Sequence, residues 1–377
     1  MSETYIFGNV GQSNAQIGTN TLLYTTGSGN SAFGNNVFTN LTSGMNNSGF
    51  GVEVASGLSF NGSNNTLFGA EVMKDATTAS DVSGFGYQTL TMATTGNNNS
   101  AFGNTAGDSV TTTANNTLFG ANADVVNTST SNSLVIGNDT IGADQSIVIG
   151  PNAQCLSTLS STRNIVVGFN ATMGENSTNS MVIGSESGNI GPMVNSISIG
   201  ANTVNQVLEN CENSTLIGLG VGKDTRLSID ETFIGEDAGT YSHGERNTGI
   251  GVSSLYGFRD QYRTDNTGIG YYTGGSGGAG EKTTLIGFST GEYLSAARGC
   301  TAIGSRSMRQ IEGNSPTSIS STTQSTINAN PDFTTSNDSN LVVYTVNIAG
   351  NTTDVGAGTA ATGGAGELNA VFKIRYR

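Results

Sequence analysis

The chain has 377 residues, of which 54 are glycine and none tryptophan; 11% are charged and the formal net charge is -14. Such a surface repels nucleic acid, whose affinity for proteins comes mostly from Lys and Arg neutralising phosphates. The charged fraction is less than half the roughly 25% of an ordinary globular domain, and Asn, Ser, Thr and Gly fill the difference. Up to residue 162 the only basic residue is Lys74. No stretch approaches the roughly 18 apolar residues of a membrane span, and "MSETYIFGNV" lacks the basic start and apolar run of a secretory signal. The expectation is a protein with no membrane insertion, not exported by its own N-terminus. Cys155, Cys211 and Cys300 lie far apart with no CxxC spacing, which argues against a disulfide framework and a zinc site.

From the N-terminus onward, a hydrophobic residue followed by glycine recurs at a nearly fixed interval. The marks are Gly8, Gly18, Gly34, Gly51, Gly69, Gly86, Gly103, Gly120, Gly137, Gly150, Gly168, Gly184, Gly200, Gly218, Gly235, Gly251, Gly270, Gly287 and Gly304. All but two of the 18 gaps are 16 to 19 residues, and "NNTLFGA" occurs twice, 51 residues apart. A fixed period of this length is the signature of a solenoid, whose repeats bury their apolar faces only by stacking. Disorder would not hold such a register over 300 residues.

The first repeats read like "NSAFG" at Asn30 to Gly34: Asn and Ser for a tight turn, then β-branched or aromatic residues for a short strand. After the glycine comes a second short stretch, often "xxAG" as at Gly103 to Gly107, and a "TTG" or "TSG" turn leads to the next Asn. Two short strands and two turns per repeat make one coil of a β-roll. The expectation is an all-β solenoid of about 19 coils, about 17 residues each, on the order of 90 Å long at the usual strand spacing. The rung glycines, among them Gly34, Gly51, Gly69, Gly103, Gly120, Gly137, Gly184 and Gly200, supply sharp turns and close backbone approach that a Cβ forbids. Threonine falls mainly at turns and not in a strict T-x-T column, against an ice-binding face.

From Gly137 to Gly218 the repeats change to "NSLVIG", "QSIVIG", "NSMVIG", "NSISIG" and "NSTLIG". This block resembles the head repeats of trimeric autotransporter adhesins of the YadA type. The flanking "NSAFG" and "NT-x-IG-xx-AG" forms are similar to repeats of phage tail-fibre proteins, and the resemblance covers roughly residues 5 to 310. It implies three parallel chains, each contributing one β-roll. Thin strands with one or two apolar side chains lead the same way, because a single roll leaves apolar area uncovered. The expectation is a homotrimer. The chain shows no signal peptide, coiled-coil stalk or membrane-anchor barrel, which favours a virion component assembled in the host cytoplasm. The function expected is that of a structural virion fibre or spike, phage-like, mediating attachment to a host surface. Its partners would be itself, other virion proteins and a host cell-surface glycan or protein. The alternative is a bacterial surface adhesin at the cell surface, and behind it a polysaccharide-degrading tailspike.

Six tyrosines cluster between Tyr241 and Tyr293, with Arg246, Arg259, Arg263, Arg298 and the only histidine, His243. Aromatic faces beside planar donors suit sugars and acidic glycans, so Tyr241, Tyr256, Tyr262, Arg263, Tyr271 and Tyr272 form a candidate ligand-binding patch. The competing reading is bulky filler in a wider part of the roll. No catalytic residue, cofactor or metal is expected: one histidine excludes multi-His metal sites and leaves any Ser-His-Asp arrangement resting on His243, and "GLGVGKDT" departs from the phosphate loop in spacing and in Asp224. The acids a tailspike would use are Glu236 with Asp237 or Glu231.

After Gly304 the period stops, which bounds the roll at residues 1–310. Residues 311–340 are Ser/Thr/Asn-rich and read as a linker. Residues 341–377 hold two strand-like stretches, "NLVVYTVNIA" beginning at Asn340 and "ELNAVFKIRYR" ending at Arg377, read as a small antiparallel C-terminal β cap over the end of the roll.

Overall fold

The computed structural model describes residues 13–307 apart from 23–24, 58, 129, 159–161, 190, 204–209, 224–226, 258–261, 276–279, 296–298 and 300, together with the backbone of a few short terminal strands. It is all-β, a parallel β-solenoid, as the glycine period predicts. The stretch read as one roll falls into two units, residues 1–186 and residues 187–377. Cys300 and nearly all of the expected linker and C-terminal cap lie outside the described residues.

In the first unit, strands at Asn14–Thr19, Ser31–Asn35, Ser48–Val52, Thr66–Ala70, Ser83–Tyr87, Ser100–Phe102 and Thr117–Phe119 stack in parallel. Leu134–Ile136, Ile147–Ile149, Ile165–Val167 and Met181–Ile183 continue the ladder. The second unit repeats it from Ile197–Ile199 through Thr301–Ile303. Register is strict: Phe33, Phe50, Phe68, Phe85, Phe102 and Phe119 each oppose the next.

Two expectations are corrected. The Gly8 mark is not a coil, because Tyr5–Asn9 pairs antiparallel with Asn14–Thr19 as a hairpin, which accounts for the gap of 10. The described residues therefore hold fewer coils than the 19 marks. The 13-residue gap, by contrast, is a complete short coil, with Leu134 opposite Ile147. Nor does every coil carry a second strand. Among the described residues of the first unit, one appears only from Asp124–Val125 onward, followed by Ile141–Gly142, Gln154–Cys155 and Thr172–Met173.

Corner geometry explains the difference. Every coil of the first unit turns left-handed two residues after its glycine, at Asn36 (φ 55°) or Asp139 (φ 52°) for example. Earlier coils turn left-handed again two residues later, at Phe38, Met73 or Leu90, and this second turn uses up the length a strand needs. After the corners at Asn122, Asp139, Asn152 and Asn170, the equivalent residue is extended and pairs. The "AG" signature is the same second corner filled by a glycine, as at Gly107 (φ 73°) and Gly239 (φ 65°), where positive φ carries no Cβ penalty.

The core is filled by inward side chains from the strand and from the corners, Phe38, Leu41, Phe60, Met73 and Leu90 among them. The residue two before each rung glycine points inward: Ala32, Leu67, Ala101, Leu118, Val135, Val148, Val166 and Val182 are fully or almost fully buried. Where that position is glycine, a large neighbour fills the space, as Phe38 and Val37 do against Gly49. The rung glycine itself admits no side chain. Gly69 sits at φ +140°, and a Cβ there would lie 1.6 Å from the Gly86 carbonyl oxygen of the next coil.

A buried asparagine relay closes one edge. Asn30 Nδ2 donates to the Gly44 carbonyl (3.0 Å), while its Oδ1 accepts the Asn47 backbone N–H (3.0 Å). Asn47 and Asn65 repeat the pattern to Gly62, Asn65, Ala79 and Val82. Each side chain thus satisfies one carbonyl within its coil and one N–H in the next, as buried polar groups require. The exposed asparagine just before it takes the left-handed corner, as at Asn46, Asn64, Asn98 and Asn115.

Candidate functional site

Strand alternation places the residue just before each glycine on the outside. In the first unit this makes a column of phenylalanines whose rings stack from coil to coil: Phe33 on Phe50 at 4.7 Å between centroids, Phe50 on Phe68 at 4.5 Å, Phe68 on Phe85 at 5.2 Å and Phe85 on Phe102 at 4.8 Å. Phe68 is 37% exposed and Phe119 57%. After Phe119 the column turns to Ile136, Ile149, Val167 and Ile183, joined two residues earlier by Leu134, Ile147, Ile165 and Met181. Both columns of that stretch are apolar and lie outside the core.

The second unit presents the same face with different chemistry. Thr215, Thr232, Thr248, Thr267, Thr284 and Thr301 oppose one another in register, and Ile217, Ile234, Ile250, Ile269, Ile286 and Ile303 form the column beside them. Ile234, Ile250, Ile269 and Ile303 are exposed. The expectation that threonine keeps mainly to turns is corrected here: it forms a strict column, partnered by isoleucine instead of a second threonine. The sequence reading had not assigned which apolar residue of the strand faces outward. The signal missed was the residue one place earlier, which varies from Gly to Phe as a core packing position does, while Phe or Ile is held outside.

The tyrosine and arginine patch resolves into unlike parts. Tyr241 and Tyr256 are half-buried and meet edge to face at 5.5 Å. Arg263 is buried at 5% exposure, and burial pushes its guanidinium down to about 10. The side chain of Tyr262 lies outside the described residues, and its backbone pairs with His243. Tyr271 is exposed and stacks on Phe288 at 5.1 Å, with Tyr272 tilted beside it at 6.1 Å and the Arg306 guanidinium 5.9 Å from the Phe288 ring centre. Stacking along the coil axis already occupies facing ring surfaces of Tyr271 and Phe288, leaving edges outward, whereas a sugar needs a face. The strongest exposed cluster is therefore Tyr271, Phe288 and Arg306, two of which the sequence reading had not singled out.

The acids proposed for a tailspike separate as well. Glu236 is exposed, Asp237 sits at a left-handed corner, and Glu231 is 1% exposed inside the roll. Among the described residues no group of three His, Cys, Asp or Glu side chains is placed to hold a metal ion. Cys155 and Cys211 are buried thiols, the latter pushed up to about 11 chiefly by burial. At the surface, Lys74 bridges Glu53 (2.6 Å), and Arg246 bridges Glu245 (2.6 Å) and Asp265 (2.7 Å). Comparison with known proteins adds no relative: no family model and no curated protein matches the chain.

Proposed function

We propose that the chain is the structural fibre or spike protein of a virion, that it works as a homotrimer, and that it attaches the particle to a host surface. The observation that carries this reading is the outward apolar face. The columns from Phe33 to Phe119 and from Ile217 to Ile303 face outward from the roll, and copies of itself with the same strict register are the simplest cover. The exposed aromatic and corner positions away from that face are then free for a receptor, and the resemblance to trimeric adhesin and tail-fibre repeats points the same way.

Light scattering of the purified chain tests the assembly. A molar mass three times 38.5 kDa supports the fibre, and a monomer overturns it. Copurification with virus particles and competition by the purified trimer against their attachment test the role. Recovery on a bacterial surface without particles would favour the adhesin instead.

A further inference from the structure

We propose that Glu231 is a proton-gated lock in the second unit, a buried acid that joins its neighbouring coils while neutral and loosens them once ionised. This does not depend on the attachment reading. Glu231 stands at a position of the buried relay, between Ser214 of the preceding coil and Asn247 of the following one. Its backbone N–H donates to Ser214 Oγ (3.2 Å), and its Oε1 accepts from Asn247 Nδ2 (2.9 Å). Asn247 in turn donates to the Arg263 carbonyl and accepts the Asn266 N–H, so the acid is one link of a chain running through four coils.

Its other oxygen has no hydrogen-bond partner and no contact with solvent. The Ser228 hydroxyl of the same coil, near enough to act on the carboxyl, donates to Ser214 Oγ at 3.2 Å. The titratable groups around it are the buried Cys211 thiol from the preceding coil, His243 and Glu245 from the following coil and the buried Arg263 beyond. Among the described residues none forms an ion pair with Glu231, and Glu245 adds negative field. A carboxylate stripped of water with no cation is far costlier than a neutral acid in the same place.

Burial, opposed by the Asn247 bond, pushes the carboxyl from an ordinary 4.5 up to about 8. The folded form therefore holds a proton that the unfolded chain has released. Stability from this group is complete below pH 4.5 and is lost progressively as pH rises toward about 8.

The test is the melting temperature of the full-length protein, followed by circular dichroism at several pH values across that window. The wild type should melt progressively lower as pH rises, and Glu231→Gln, which keeps the shape and removes the ionisation, should flatten the slope. Should Glu231→Gln not fold, Glu231→Asn serves, because asparagine fills the same relay position in the next coil. Equal slopes in wild type and variant overturn the proposal, as does a wild type whose melting point is unchanged across the window.

Discussion

At the scale of single residues, two positions carry tight constraints, one of backbone conformation and one of buried hydrogen bonding. The rung glycine is required twice, by its positive φ and by the carbonyl that approaches it from the next coil. Gly69→Ala places a Cβ 1.6 Å from the Gly86 oxygen, so the coils must part. The expected cost is at least about 3 kcal/mol, read as a lowered denaturation midpoint or as loss of soluble protein. The buried asparagine is the other case. Asn65→Leu keeps the volume but orphans the Ala79 carbonyl and the Val82 N–H, at about 1–3 kcal/mol for each group. Asn64, one residue earlier and exposed, donates to the Asp81 side chain and accepts from Asn46 Nδ2 at the surface, where water can replace both, and Asn64→Ser should cost less than about 1 kcal/mol. A urea titration of both variants separates the two roles. Adjacent identical residues in "NNT" thus do opposite jobs, which composition alone does not reveal.

At the scale of the element, the strand ladder was legible because its signal is repeated, and the parts that were not legible each depend on one backbone angle or one choice of side. Periodicity located the strands from Asn14–Thr19 to Thr301–Ile303 through their glycines. It did not tell which of two adjacent apolar residues points inward, because a strand three residues long contains less than two full alternations. The second strand was over-assigned because Phe38 and Asn36 give no sequence warning that both take positive φ, a conformation rare for phenylalanine. The candidate patch suffered most, since proximity in sequence between Tyr256 and Tyr272 does not fix the side of the coil each faces. The relay itself suggests a repair. It stops at Val82, whose N–H donates to Asn65 Oδ1 but whose side chain offers no oxygen to the coil of Asn99. Val82→Asn should restore the link and raise stability by about 0.5–1.5 kcal/mol, less what the lost apolar contact takes away. A thermal melt that shows no gain would mean the asparagine cannot adopt the rotamer its neighbours use.

At the scale of the molecule, the governing fact is a packed interior beside an exterior that also carries apolar side chains in a regular pattern. Inside, each coil is packed by residues such as Phe38, Met73 and Leu90, while phenylalanine and isoleucine are also displayed outside in register. Stacked rings contribute about 0.5–1.5 kcal/mol per pair within one roll, yet their outer edges still face water. If association hides them, charge placed on the column should dissociate the assembly without unfolding the coil. Phe68→Asp combined with Phe85→Asp removes up to three stacking contacts and sets two carboxylates against the same residues of neighbouring copies. The expected result is a light-scattering mass near 38.5 kDa with the β-sheet circular dichroism signal retained. Ala101→Asp, one position inward on the neighbouring strand, buries its charge in the core and should abolish that signal. A double variant that stays assembled would place the contact between copies elsewhere on the coil. One that loses its β-sheet signal along with its mass would mean that roll and assembly form together, with no stable single chain between them.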